Sequence, residues 1–358
     1  MSRVWDIPVQ DSTRVRDVRV AAEAACADLG LDAHSTAVTA LVATELATNL
    51  VRHANGGYIV INLTAPIDTS TQTPVPCVQI ASLDHGPGIT DVTAALRDGS
   101  TTAPSSLGAG LGTCLRISSD FDLHSRPGTG TVAVAHIRPD QPPGTSSSRP
   151  APPRTGARAG GITTSLAHAE HSGDAFAWTA SGSLLTLLLA DGLGHGTKAA
   201  QASTTAVHEL RHNAALAPAD LLRHLHTALR PTRGAAIAVA QLDQDTGRLS
   251  FAGVGNIGAR LRTGDDWRHL LSHPGIVGAY FPATVPVQHA PWRPDSLLVL
   301  HSDGLPSRWA PPDDPRLLVH DPAVTAAVIL RDAASAVRPL RDDATVAVLA
   351  PDRADGHA

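Results

Sequence analysis

Residues 184–203 read LLTLLLADGLGHGTKAAQAS. An apolar run long enough for a buried strand ends at Asp191-Gly192, and the pattern resumes after the glycines as a helix of small residues. An acid therefore stands at the mouth of a strand, where a glycine-rich turn leads into a helix. The same order occurs upstream in CVQIASLDHGPGIT, residues 77–90, where Asp84 closes an apolar run and Gly86 and Gly88 follow. A single Asp-Gly step is ordinarily no more than a turn. Two such junctions, each closing an apolar strand, lead us to expect two phosphate-handling sites in one chain.

The bulk properties leave room for that. At 358 residues the chain can form two ordinary domains, each with its own core. Hydrophobic residues make up 42% and the mean hydropathy is -0.01, which suits a globular protein rather than a disordered one. A net charge of -5 without a basic stripe argues against a nucleic-acid partner. Cys26, Cys77 and Cys114 are widely separated, with no C-x-x-C pair to suggest zinc or redox chemistry, so free thiols in a reducing compartment are expected. The opening MSRVWDIPVQDSTRV has neither the basic nor the apolar segment of a secretory leader, and no apolar run approaches the roughly 18 residues of a membrane span. The expectation is a cytoplasmic protein with no membrane partner.

Residues 138–160, RPDQPPGTSSSRPAPPRTGARAG, have almost nothing to bury and read as a flexible linker. It separates a first domain, residues 1–137, from a second, residues 161–351, with 352–358 as a tail. In the first domain, residues 13–29 and 35–54 have helical spacing, and YIVINL, CVQIASL and GTVAVAHI read as strands. In the second, SLLTLLLA, GAAIAVAQLD, GRLSFAGVG, SLLVLHS and ATVAVLA read as strands, with helices near 197–214, 217–229 and 321–336. Both domains mix helices with sheet.

Four aspartates of the second domain, Asp174, Asp191, Asp303 and Asp342, each lie at an end of an apolar strand-like run. Strand ends on one edge of a layered sheet can converge, and carboxylates gathered there repel one another. Divalent cations relieve the repulsion, and oxygen donors without a nearby His or Cys pair select Mg²⁺ or Mn²⁺ over zinc. Two such ions can activate a water and polarise a phosphoryl group, a route to phosphoester hydrolysis. His195 and His301 are expected to pack loops or meet solvent, and Asn256 to shape a turn beside the cluster.

In the first domain the helix STAVTALVATELATNLVRHA buries Val38, Val42, Leu46 and Leu50 and carries Glu45 and Asn49 four residues apart on another edge. Asp84 can accept a hydrogen bond from an exocyclic amine. Gly108, Gly110 and Gly112 precede a helical stretch whose first N–H groups suit a phosphate.

The ordered set E-x-x-x-N, D-x-G-x-G, G-x-G-x-G and PGTGTV resembles the GHKL-type ATP-binding fold of histidine kinases and anti-sigma-factor kinases. The stretch DGSTTAPSSLGAGLG is similar to that of stressosome switch kinases, and the resemblance spans about residues 10 to 137. It implies ATP as ligand, with Asn49 holding Mg²⁺ against the phosphates and Glu45 taking the proton from a substrate serine. It also implies Asp84 on the adenine amine, Thr131 in support, and Gly86, Gly88, Gly108, Gly110 and Gly112 shaping the pocket. No Arg or Lys lies between Gly99 and Gly112, so Mg²⁺ and backbone dipoles are expected to meet the phosphate charge.

SGDAF, ADGLGHG, RGAAIAVAQLD, GVGNIGARL, HSDGL and RDDATVAVL resemble the PPM-type metal-dependent serine/threonine phosphatases, in the branch of the sporulation stage II protein E and stressosome-resetting phosphatases. That resemblance implies two Mn²⁺ or Mg²⁺ ions held by Asp174, Asp191 and the Gly192 carbonyl, with Asp303 and Asp342 completing the set and Asp343 beside them. The phosphate-gripping arginine of eukaryotic relatives has no counterpart that the sequence assigns. The implied fold class is α+β: an N-terminal GHKL (Bergerat-type) α/β sandwich joined by a Pro/Ser-rich linker to a C-terminal PPM-type α-β-β-α sandwich.

The function implied is a bifunctional partner-switching regulator. Its kinase would phosphorylate, and its phosphatase dephosphorylate, a serine or threonine on a STAS-domain anti-sigma-factor antagonist or a stressosome-like protein. The alternative is a first domain that sequesters a sigma factor or a phosphatase activator when nucleotide is bound and transfers no phosphate. A third reading makes it an ATP sensor for the phosphatase.

Overall fold

A computed structural model describes residues 3–65, 75–97, 110–139, 156–306, 308–334, 340 and 342–352. These fall into two compact units, the first formed by residues 4–65, 75–97 and 110–139 and the second by Arg3 and the described residues from 156 onward. Most of the segment expected as a linker, and all of the tail beyond Asp352, lie outside the described residues.

The first unit contains β1 (Val4–Val9), α1 (Arg14–Leu29), α2 (Ala33–His53), β2 (Gly57–Thr64), β3 (Cys77–Leu83), α3 (Val92–Leu96), α4 (Leu111–Ile117), β4 (Asp120–Arg126) and β5 (Gly130–Ile137). Its strands form one antiparallel sheet in the order β1-β2-β3-β5-β4. Local signals delimit the helices. Gly30 ends α1 in the left-handed region, with Leu31 N–H returning to the Cys26 carbonyl, and Asp32 then caps α2 by accepting from Ser35 N–H at 2.9 Å. The expected stripe of α2 is the buried one: Val42, Leu46 and Leu50 pack with Val18 and Ala22 of α1 against Ile59, Ile61 and Ile80, and Val38 joins at the margin. Each of the fully buried Val, Leu and Ile side chains contributes roughly 1.5–3 kcal/mol of burial.

The second unit contains β6 (Ala157–Thr164), β7 (Asp174–Ser181), β8 (Leu184–Gly192), α5 (Thr197–His212), α6 (Pro218–Leu229), β9 (Ala235–Asp243) and β10 (Arg248–Val254). There follow β11 (Gly258–Thr263), β12 (Asp266–Leu270), β13 (Gln288–Pro291), β14 (Leu297–His301), α7 (Pro322–Ala333) and β15 (Ala344–Pro351). Two five-stranded antiparallel sheets result, ordered β13-β10-β9-β8-β7 and β12-β11-β14-β15-β6.

The opening stretch explains the layering. Side chains alternate along β8, so Leu187 and Leu189 point to the second sheet and meet Leu298, Leu300 and Leu349, while Leu188 and Ala190 point to α5 and α6 and meet Ala202, Ala206, Leu222 and Leu225. A strand buried on both faces reads as a continuous apolar run rather than an alternating one. Helix α7 covers the other sheet, against β6 and β15. This is an α-β-β-α sandwich.

One boundary differs from the sequence reading. Residues 157–160, read as linker, begin β6, which pairs along the whole of β15. The run ARAGG looks like linker because it lacks bulk, and the fold requires that: a Cβ on Gly160 would stand 2.8 Å from Ala323 N, and one on Gly161 2.6 Å from the Val346 carbonyl oxygen. Asp352, read as the first tail residue, donates its N–H to the Gly156 carbonyl at 2.9 Å. Among the described residues no helix is long and apolar enough to cross a membrane.

Candidate functional site

The carboxylates of the second unit assemble at the ends of its central strands. Asp174 begins β7, and its register partner on β8 is Asp191, so both Cβ atoms leave the same face of the sheet. Asp303 follows β14 by two residues and accepts from Asn256 Nδ2 at 2.7 Å. Asp342 and Asp343 precede β15. Asp343 uses both oxygens on backbone, accepting from Leu166 N–H at 2.6 Å and Gly173 N–H at 2.5 Å. Exposure grades from Asp174, only 1% accessible, through Asp191 to the exposed Asp303 and Asp342, so the cluster opens outward.

The electrostatics are those of uncompensated negative charge. Burial, then the neighbouring Asp191, holds the Asp174 carboxyl well above the usual carboxylate range. Burial and the charges of Asp303, Asp342 and Asp343 push Asp191 up to about 7. Asp303 is raised by burial and by Asp342, and Asp343 by burial against the pull of its two backbone donors.

The donor set fits a hard divalent cation. Asp174 Oδ2 is buried without a hydrogen-bond partner, and the clustered donors are all oxygens. Among the described residues no three His, Cys, Asp or Glu side chains stand close enough to close on a single ion. Mg²⁺-like ions keep several water ligands, so a site with few protein donors per ion matches their chemistry. Gly192 sits in the expected loop: its N–H donates to the Gly173 carbonyl at 3.0 Å, and a Cβ there would stand 2.1 Å from the Ala199 carbonyl oxygen. Only glycine lets α5 come this close behind the carboxylates.

The histidines separate by environment. His195 is near enough to Asp343 to offset part of its shift. His301 is used structurally: Nδ1 lies 2.9 Å from the Ser302 carbonyl, Nε2 accepts from Trp309 Nε1 at 3.2 Å, and burial lowers its pKa. Asn256, expected to shape a turn beside the cluster, also reaches it through Asp303.

In the first unit a cavity of about 240 Å³ lies between α2, the β3 end and the start of α4. Asn49, Asp84, Gly88, Gly110, Gly112 and Thr131 line it, and Leu46 and Ile89 supply apolar wall. Asn49 Nδ2 is buried with no hydrogen-bond partner. Asp84 is 7% exposed, and its Oδ1 accepts from Gly86 N–H at 2.8 Å and Thr131 N–H at 3.0 Å. Thr131 Oγ1 is 2.8 Å from Ser125 Oγ, which also receives Ile89 N–H at 2.7 Å.

Several expected residues have different surroundings. Gly86 is not on the cavity wall, and a Cβ there would stand 2.7 Å from Ala54 Cα, so its smallness serves the packing of the turn on α2. Gly108 lies outside the described residues. Glu45 is half-buried with a pKa raised by burial, but it is not among the residues lining the cavity. A cation does line it: Arg97, two residues before the glycine-bounded window in which none was found. His53, at the end of α2, lines it too.

A cavity on a helix-backed antiparallel sheet and a carboxylate cluster on a double-sheet sandwich are the features that an ATPase-like domain and a PPM-type phosphatase fold present. The comparisons agree with that assignment. Residues 9–136 match the family model described as histidine kinase-like ATPase domain, and residues 181–351 match that of Stage II sporulation protein E. The chain therefore joins an N-terminal histidine kinase-like ATPase domain to a C-terminal PPM phosphatase domain of the Stage II sporulation protein E family.

No curated protein matches the chain. Among solved structures it is similar to a chain described under "The bacterial stressosome: a modular system that has been adapted to control secondary messenger signaling", at 25% identity and a TM-score of 0.47, covering 54% of this chain and 99% of that one. RsbX in complex with magnesium is 20% identical with a TM-score of 0.46, over 55% of this chain and 95% of that one. The RsbU and RsbW domains of a Mycobacterium tuberculosis protein are 20% identical with a TM-score of 0.45, over 56% and 61% respectively.

Proposed function

We propose that the second unit is a metal-dependent phosphoserine/phosphothreonine phosphatase and the first an ATP-binding serine kinase acting on the same switch. The substrate class is a STAS-domain antagonist or stressosome-like protein. The observation that carries the phosphatase reading is the buried Asp174, set opposite Asp191 with one oxygen unpartnered and further carboxylates around it. When bound, divalent cations supply an activated water and positive charge for a phosphoryl group.

The chain's own residues do the rest. Asp174, Asp191, the Gly192 carbonyl, Asp303 and Asp342 hold the ions. Asn256 fixes the Asp303 carboxylate. Asp343 clamps the segments at Leu166 and Gly173 so that Asp174, the next residue, cannot swing away. In the first unit, Asp84 is held by Gly86 and Thr131 for an adenine amine, and Asn49 lines the cavity with its Nδ2 donor left for a phosphate oxygen, its Oδ1 being the atom that would hold Mg²⁺.

A second reading keeps nucleotide binding but not phosphotransfer, and one observation favours it: Glu45, the expected base, is not on the cavity wall. The deciding experiment incubates the full chain with a phosphoseryl STAS protein, with and without Mn²⁺, beside an Asp191→Ala variant. Metal-dependent phosphate release that the variant lacks supports the phosphatase. No release from any phosphorylated partner leaves a nucleotide-binding partner-switch scaffold as the better account. ATP and the unphosphorylated partner, with Glu45→Ala alongside, then test the kinase.

A further inference from the structure

While they hold the ions, Asp174, Asp191, Asp303 and Asp342 offer a phosphomonoester no hydrogen-bond donor. Beside the charge that bound ions supply, phosphoryl oxygens take donors, and the described loops contain a cation that can give them. Arg233 precedes β9 at a turn pinned on both sides: Thr232 Oγ1 donates to the Leu229 carbonyl at 2.7 Å and accepts from Gly234 N–H at 3.0 Å. The Gly234 carbonyl in turn receives Leu193 N–H at 3.0 Å, which ties this turn to the loop that follows Asp191.

From that turn the Arg233 side chain lies over Gly194. A Cβ built on Gly194 would stand 3.0 Å from Arg233 Nη1, and Gly194 has φ +85, where an L side chain is strained. Gly194 in turn backs onto the cluster: a Cβ built on Gly173 would stand 3.2 Å from both the Gly194 carbonyl oxygen and Asp343 Oδ2. Arg233 is exposed and, among the described residues, has no hydrogen-bond or ion-pair partner. The bare Gly194 surface and the tied loops hold a guanidinium over the loop that follows Asp191 without committing its donors.

We propose that Arg233 binds the phosphoryl group of the phosphoserine or phosphothreonine substrate, its guanidinium fork taking non-bridging oxygens at the rim of the carboxylate cluster. The planar fork matches phosphate oxygens in a bidentate way that an ammonium does not. The inference rests on the phosphatase reading above. Because Arg233 is placed to bind and not to activate water, its loss acts on substrate affinity.

The test uses the full chain with Mn²⁺, a phosphoseryl peptide as substrate and inorganic phosphate as competitive inhibitor. Arg233→Ala should raise KM for the peptide and Ki for phosphate together, each by about tenfold or more, with kcat changed far less. Arg233→Lys should recover only part of the loss. Arg248→Ala, an exposed arginine at the other end of β10, should leave both constants as in the wild type. Melting temperatures of both Arg233 variants check folding, and little change is expected at an exposed, unpaired side chain. A KM and a phosphate Ki in Arg233→Ala equal to those of the wild type overturn the assignment while leaving the phosphatase reading intact. A wild-type chain inactive with Mn²⁺ on every phosphorylated substrate fails at the earlier step and takes this inference with it.

Discussion

Asp174 and Asp191 face each other as register partners on neighbouring antiparallel strands, the first almost wholly buried and the second partly so. Opposed like charges destabilise a sheet. Here they are set in a strand pair whose remaining residues are mostly apolar, Ala175 to Ala177 against Leu188 to Ala190. The sandwich thus holds in place a pair of groups that the metal-free fold disfavours when ionised.

Removing one charge separates stability from activity. Asp191→Asn should raise the melting temperature of the metal-free protein, by about 2–4 °C for relief of roughly 1 kcal/mol in a domain of this size. The same variant should lose metal-dependent phosphate release. Thermal melts in EDTA beside an activity assay test this, and a lower melting temperature for the variant in EDTA contradicts it.

The pH dependence has a definite sign. An aspartate in the unfolded chain ionises at about 4, whereas Asp191 in the folded protein is pushed up to about 7. A carboxyl with a raised folded-state pKa adds stability that is fully present below the unfolded value and lost as pH rises through the folded one. The metal-free protein should therefore melt higher at pH 5 than at pH 8, with a flatter profile in Asp191→Asn. Mn²⁺ should stabilise more at pH 8 than at pH 5. Equal metal stabilisation at both pH values would falsify the assignment of Asp191 as a ligand.

Asp343 holds two backbone N–H groups, and carboxylate acceptance of this kind contributes about 1.5–3 kcal/mol per bond. Asp343→Ala should lower stability by about 2 kcal/mol or more, read as a shift in denaturant midpoint. Asp342→Ala, exposed at the cluster rim, should cost little stability but weaken metal binding. A reversal of that order shows that the two neighbours have been assigned each other's roles.

In the first unit, Asp84→Ala removes the acceptor shared by Gly86 and Thr131, and Asn49→Ala removes the buried amide at the cavity wall. Each should weaken binding of a fluorescent ATP analogue by at least about tenfold. Glu45→Ala, away from the wall, should leave that affinity within about twofold; a large loss would place Glu45 on the nucleotide.

The packing of β8 is open to test as well. Leu188→Ala and Leu187→Ala empty opposite faces of one strand, one toward α5 and α6 and one toward the second sheet, and each should cost about 2–5 kcal/mol. Near-neutral results for either would show that its face is not a packed layer.

Much was legible before any tertiary contact was known. The apolar run at 184–190 announced a buried strand, the spacing of Val42, Leu46 and Leu50 marked the inner stripe of α2, and an acid followed by glycine at three strand ends pointed to the sites. These are local signals, written in periodicity and in residues that turns require. What only the tertiary structure decided is pairing. The first half of the strand at Ala157–Thr164, residues 157–160, reads as linker because its alanines and glycine carry no hydrophobic signature, and their smallness has a cause only once α7 and β15 are beside them. Likewise Asn256 on Asp303, Asp343 on Leu166 and Gly173, Arg97 at the cavity and Arg233 on Gly194 join residues that sequence distance keeps apart. Periodicity determines which face of an element is buried; the close approach of two elements, and hence which polar side chains meet across them, is a property of the packed chain alone.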